Sequence, residues 1–269
     1  ILMETALAKL PTGSTLKLPA GRYAKGGTGG GKHIALPPGT RLIGEPGATI
    51  VSSSYPVFRT SDNTVIEGLT FDNSTGGISI GIEVEGADVA IRRNTFYRGN
   101  QQVYLRDCER VDIEDNTFKE TGYAVLQKSG YTSNAVRVSR NRFLRCTGDC
   151  VELNSETANP CWGWQILDNY AKDIGGTERT EVATEDRFFG ATATRGVVIS
   201  GNLIDGIAGD SALHFESLSG DTLVTGNVFR DLHGDSGKLI FLTSSLQDCT
   251  IDFSHNHVEF SSEYTFLEG

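Results

Sequence analysis

Seven segments of the chain repeat one arrangement of apolar and polar positions, apolar-x-apolar-x-x-Asn-x-apolar. The first contains Val89, Ile91, Asn94 and Phe96, and the same phase recurs around Asn116, Asn141, Asn169, Asn202, Asn227 and Asn256. Successive asparagines lie 22, 25, 28, 33, 25 and 29 residues apart. Alternating apolar positions predict a short strand with its apolar side chains inward, and the apolar residue two beyond the Asn points inward again. The Asn is expected at the backbone turn, because it tolerates the left-handed region and because stacked amides can hydrogen-bond from coil to coil. A unit of this length built from short strands cannot bury its own apolar face and must stack on copies of itself, about 4.8 Å apart.

The fold class predicted is therefore all-β, a parallel β-solenoid of about 8–10 coils. One domain is expected over 1–269, with a cap and first coils in 1–50 and the Asn-marked coils in 51–269. Leucine-rich repeats have similar periods, but their leucine consensus is missing. A β-sandwich would show turns every 8–12 residues without an Asn at one phase. Met3 to Leu10 reads as a short amphipathic helix that would shield the open end of the stack. The Gly26 to Gly31 run lacks the lysine and following helix of a phosphate-binding loop and reads as a flexible connection. The chain opens at Ile1, so a piece of a longer protein is expected.

Composition narrows the function. The 32 glycines in 269 residues show no three-residue period, which excludes collagen, and 13 Phe argue against disorder. A net charge of −10 argues against nucleic acid as a partner, and no apolar run is long enough to span a bilayer. The five cysteines are an odd number without paired CxxC spacing. Cys150 and Cys161 are close enough for a local bridge, but buried free thiols are the preferred reading.

The segments Gly13 to Tyr23 (GSTLKLPAGRY) and Leu36 to Gly44 (LPPGTRLIG), with the Asn-marked coils, resemble the right-handed parallel β-helix of the pectate-lyase-like superfamily. The likeness covers nearly the whole chain. The helix followed by LPAG is similar to the start of many bacteriophage tailspike depolymerases, and Gly148 to Asn154 (GDCVELN) resembles a motif of that group. The resemblance implies a polysaccharide substrate, a homotrimer, and a place on the virion tail or outside the cell. It does not choose between hydrolysis, elimination and epimerisation.

Phasing the strand that follows each Asn turn gives the candidate site. With Val103, Leu105, Val151, Leu153, Leu213 and Phe215 inward, Tyr104, Arg106, Glu152, Asn154, His214 and Glu216 face out. Taking Ala124 and Leu126 as inward adds Gln127 to this row. Glu152 and Glu216, two rungs apart, put their backbones roughly 9.6 Å apart, which suits the carboxylate pair of an inverting glycosidase. Asp149 and Asp210 are reserves for either acid, and His214 supports them. A charged insertion near 175–194, with Glu178, Arg179, Glu181, Glu185, Asp186 and Arg187, is expected to overhang the groove.

Elimination from a uronic acid would instead use Arg106, Lys128, Tyr104 and His214 as charge neutraliser and base. No cofactor is expected for hydrolysis. Calcium belongs to the lyase alternative, with Asp149, Glu152, Glu156 and the insertion as its acids, at a spacing that is not diagnostic. Trp164 falls at a core position, and Trp162 at a rim where an indole can stack on a sugar. His233, His255 and His257 read as structural. A non-catalytic glycan-binding or structural fibre is the alternative from another class.

Overall fold

The computed structural model describes residues 7, 9–24, 33–51, 56–74, 80–175, 186–218, 220–232, 238–243, 249–260 and 265–268. Strands run in three parallel stacks, each coil contributing one strand to each stack. In the first stack the sequence is Thr15–Leu18, Arg41–Gly44, Val65–Glu67, the second halves of Ile80–Arg92 and Gln101–Glu114, Ser133–Ser139, Gln165–Leu167, Val197–Ser200, Thr222–Thr225 and Ile251–Ser254. The second is a ten-stranded sheet from Gly21–Ala24 to His257–Phe260. The third includes the first halves of Ile80–Arg92 and Gln101–Glu114, then Tyr123–Gln127, Val151–Asn154, Phe189–Thr192, Ser211–Glu216 and Lys238–Thr243.

The predicted solenoid is therefore observed, and the asparagines lie where the first stack turns into the second. They do not themselves take the left-handed conformation. That falls on the residue before each one, Arg93, Asp115, Arg140, Asp168, Gly201, Gly226 and His255, with φ between 54° and 70° in every case. The reason lies in the amide's partners: a left-handed residue at this point swings the next side chain inward, where it bridges two coils. Asn141 Nδ2 donates to Ile113 O at 2.8 Å and to Asn169 Oδ1 at 3.1 Å. Its own Oδ1 accepts from the backbone N–H of Asn116 at 3.0 Å and from Asn116 Nδ2 at 3.1 Å. The same bonds link Asn94 through Asn256, and the ladder ends at the Leu69 N–H, which donates to Asn94 Oδ1.

Phe71, Phe96, Phe118 and Phe143 stack along the second face, their centroids 4.8, 4.8 and 5.3 Å apart. Trp164 is fully buried as expected, its Nε1 donating to Ser133 O at 2.8 Å. All five cysteines are free, and all but Cys249 are buried. Met3 to Ala6 and Ala8, most of the expected capping helix, lie outside the described residues, and no helix is among the described elements. Leu7 is buried against the core.

Replacing Asn141 by Ala strands buried backbone groups on two coils and should cost about 3 kcal/mol, whereas Asn256→Ala, at the partly exposed end of the ladder, should cost about 1 kcal/mol. Denaturant midpoints of the two variants check this, and equal losses would remove the ladder's central role.

Candidate active site

Two outward columns run down the third face. One reads Arg59, Glu83, Tyr104, Leu126, Glu152, Gly190, His214 and Phe241 in register. In the other, Asn154, Thr192, Glu216 and Thr243 are in register. Arg106 and Lys128 lead into it from the rungs before, each one residue beyond the paired stretch. Tyr104, Arg106, Lys128, Glu152, Asn154, His214 and Glu216 therefore face outward and are partly exposed.

Gln127 does not. The register Val103↔Val125↔Val151 turns Val125 and Gln127 inward and Leu126 outward. Gln127 is fully buried, and its Nε2 donates to Lys128 O and Tyr131 O at 2.5 and 2.6 Å. The segment Ala124-Val125-Leu126 is apolar throughout, so its alternation carries no phase of its own. Pairing with the neighbouring coils decides it.

The spacing of Glu152 and Glu216 also changes. They are two rungs apart as expected but stand in different columns, two residues apart along the strand. Two rungs and two residues together separate their backbones by about 12 Å, rather than about 9.6 Å. Between them lies Gly190, on a strand (Phe189–Thr192) that occupies part of the range expected as insertion. A Cβ on Gly190 would stand 2.6 Å from Asp149 Oδ2 and 3.8 Å from Glu152 Cγ. The missing side chain leaves a notch that the Asp149 carboxylate enters from the rung before, so glycine is required by close approach.

Asp149 is fully buried at the corner leading into the third face. Its Oδ1 accepts the Arg187 backbone N–H at 3.0 Å, and its Oδ2 is 3.7 Å from the Arg187 guanidinium. The same guanidinium binds Asp210 through two hydrogen bonds of 2.8 and 2.9 Å. Three successive rungs thus carry an Asp149–Arg187–Asp210 ladder beneath the notch. Asp149 is buried within this ladder and Asp210 stands partly exposed at its end. On the surface, Thr192 Oγ1 donates to Glu216 Oε2 at 3.2 Å. His214 Nε2 bonds Thr243 Oγ1 at 2.8 Å, and its ring stacks on Phe241 with centroids 5.1 Å apart.

Nearer the N-terminal end, Glu83 is bound by Arg59 and Arg106 together. Burial alone would raise its carboxyl, but the two guanidinium groups outweigh it and hold the group below the usual carboxylate value. Arg106 also donates to Tyr131 OH at 2.9 Å. The Lys128 ammonium lies 5.9 Å from the Tyr104 ring centroid and 4.9 Å from that of Tyr131, with no ion pair among the described residues. Burial, and then the Glu83 charge, raises the Tyr104 phenol.

Sequence reasoning missed Arg59, Glu83, Tyr131, Arg187 in its structural role, and Gly190. A signal existed for Glu83: Ile82-Glu83-Val84 repeats the in-out-in pattern of Val103-Tyr104-Leu105 on the next coil. Glu178, Arg179, Glu181, Glu185 and His233 lie outside the described residues. Trp162 is exposed at the corner before the first face, away from the two columns. Glu156 Oε1 lies 3.6 Å from the Cβ position of Gly130, in the turn one rung before. Among the described residues no three acids, histidines or cysteines converge as a metal site.

The sequence matches the right-handed β-helix region family over residues 49–176. The chain is a right-handed parallel β-helix. Among solved structures it is similar to the mannuronan C-5 epimerase AlgE6 A-module of Azotobacter vinelandii, with 12% identity, TM-score 0.58, and coverage of 95% of this chain and 90% of that one. It is also similar to a PL6 alginate lyase solved with a trisaccharide, with 12% identity, TM-score 0.59, and coverage of 89% of this β-helix and 60% of the lyase. A tailspike protein of E. coli bacteriophage HK620, in complex with a pentasaccharide, superposes more loosely, with TM-score 0.46, 12% identity, and 91% and 60% coverage. No curated protein matches the sequence.

Arg106→Met and Arg59→Met should each lower stability by about 2–3 kcal/mol at neutral pH, because each leaves Glu83 short of a cation in a buried place. With its carboxyl depressed, Glu83 contributes stability above the ordinary carboxylate range and loses it as pH falls through its folded value. The variants' deficit should therefore shrink on acidification. Unfolding curves at neutral and acid pH check this, and a deficit independent of pH would contradict it.

Proposed function

We propose that this β-helix is a polysaccharide depolymerase that holds a glycan lengthwise on the third face and hydrolyses it at the Gly190 notch. The observation that carries the reading is the notch itself, a side-chain-free step flanked by Glu152 and Glu216, floored by Asp149 and bordered by His214. Backbones about 12 Å apart let two glutamates lean towards one another into the roughly 6.5–9.5 Å carboxyl separation of an inverting hydrolase. In that mechanism one glutamate protonates the leaving oxygen and the other takes a proton from the attacking water. Asn154 and Thr192 lie beside them to bond sugar hydroxyls. The polysaccharide-acting names of the similar structures agree with the substrate class. The tailspike-like form of this reading carries a homotrimer on a virion tail or an extracellular surface, which sedimentation of the protein tests.

A second reading rests on Lys128. An ammonium between two phenols, beside Arg106 and without a carboxylate partner among the described residues, could neutralise a uronate while a phenol or amine takes the adjacent proton. Calcium belongs to this alternative.

Glu152→Gln and Glu216→Gln should each reduce release of reducing ends from bacterial capsular or lipopolysaccharide glycan by about 10²–10⁴-fold while the melting transition stays in place. Lys128→Met should reduce it far less. Products absorbing in the ultraviolet as unsaturated uronates, and their loss in Lys128→Met, would replace hydrolysis with elimination. Full activity in both glutamine variants would sink the carboxylate assignment.

A further inference from the structure

The first face carries a feature that the proposed chemistry does not use. Its outward column Ala90, Asp112, Arg137, Gln165, Val198, Leu223 and Asp252 runs in register over seven rungs, about 29 Å. Beside it runs a corner of left-handed residues, Asp88, Arg110, Ala135, Gly163 and Gly196, with φ between 50° and 70°. Three of these five are Ala or Gly, so the corner is hollow. Two cavities of about 480 and 430 Å³ lie along it. The first is floored by Ala90, Asp112, Arg137 and Gln165, the second by Val198, Leu223 and Asp252.

Beside the corner stands Trp162, paired across the rungs with Arg195 and directly preceding Gly163, which lines the first cavity. It is 49% exposed, the one exposed large hydrophobic side chain among the described residues. Its backbone is fixed by the N–H donating to Asn134 Oδ1 at 3.1 Å. The charges beside it select the occupant. Arg110 is bound by Asp88 at 2.8 and 2.9 Å, and Arg137 by Asp112 at 2.9 Å, so both guanidinium groups are neutralised within the trough. Asp221 and Asp252 line the second cavity with no lysine or arginine among its lining residues. A polyanion would meet net negative charge here. Hydroxyls, which donate to carboxylates and accept from guanidinium groups, fit the same side chains, and an exposed indole offers a flat apolar surface to the C–H face of a sugar ring.

We propose that this trough is a second, non-catalytic binding site for an extended neutral glycan, with Trp162 as its stacking platform. It holds a chain parallel to the helix axis on a different face from the Gly190 notch. It extends the proposed function by assigning a second glycan contact, yet it stands or falls on different residues.

The test uses an array of neutral and anionic bacterial capsular and O-antigen oligosaccharides of four sugars or more, with binding followed on the array and by tryptophan emission. Trp164 is buried, so a ligand-induced emission change reports Trp162. Neutral oligosaccharides should bind the parent protein and the Glu152→Gln/Glu216→Gln double variant alike. Trp162→Ala should weaken that binding at least tenfold, and Val198→Arg, which fills the second cavity, should do the same, with unchanged melting transitions. Retention of anionic glycans only, absence of any neutral binder, or binding insensitive to both Trp162→Ala and Val198→Arg would overturn the proposal. So would self-association of the parent protein that Val198→Arg abolishes, because the trough would then be an interface between copies. Loss of binding in the glutamine double variant alone would place the glycan at the notch and likewise refute a second site.

Discussion

Every other feature of this molecule depends on the asparagine ladder. Each amide before Asn256 donates to the backbone carbonyl of the coil before and to the amide oxygen of the coil after. A slip of one residue in any coil would break both donors and turn the whole strand over, so the ladder sets register as well as contributing stability. The stacked phenylalanines beside it follow from that register: Phe96 and Phe118 pair because Asn94 and Asn116 pair two residues earlier. The ladder is sheltered, since six of its seven asparagines are buried.

Once register is set, surface chemistry becomes a matter of columns. Charged residues fall one rung apart and pair: Arg110 with Asp88, Arg137 with Asp112, Arg140 with Asp115, Arg230 with Asp205. Pairs this exposed contribute little stability each. The Asp149–Arg187–Asp210 ladder is the buried form of the same arrangement. On the surface above, Glu216 accepts from Thr192 Oγ1, and Glu152 lies in register with Gly190 on the next rung.

What could be read from the sequence was whatever repeats. Seven asparagines at one phase disclosed the solenoid, and strict alternation in Val151-Glu152-Leu153-Asn154 and Leu213-His214-Phe215-Glu216 disclosed which side chains face out. Legibility failed where a coil departs from alternation. Ala124-Val125-Leu126 is apolar on both faces, which reversed the phase of Gln127, and Phe189-Gly190-Ala191-Thr192 has no polar marker until its last residue, which hid the strand that makes the notch. The left-handed turn residue lies one position before the asparagine, because backbone tolerance and a bridging amide are separate properties. The structure separates them, giving the backbone strain to Arg93 or Asp115 and the hydrogen bonds to the asparagine that follows.

A solenoid also restricts the catalytic separations open to it. Outward side chains can stand one rung apart, about 4.8 Å, two rungs apart, about 9.6 Å, or on a diagonal that adds about 6.6 Å along the strand. A retaining glycosidase needs carboxyl groups about 5–5.5 Å apart, which corresponds to acids on neighbouring rungs of one column. Among the described residues of the two columns no acids are so placed. Glu83 is enclosed by two arginines, and Glu152 and Glu216 are separated by the rung that carries Gly190 and Thr192. The proposed inverting reaction needs room for its water at this step, and a side chain at position 190 would collide with the Asp149 carboxylate that reaches it. The glycine that hid this strand from the sequence pattern is thus the residue on which the proposed stereochemistry depends.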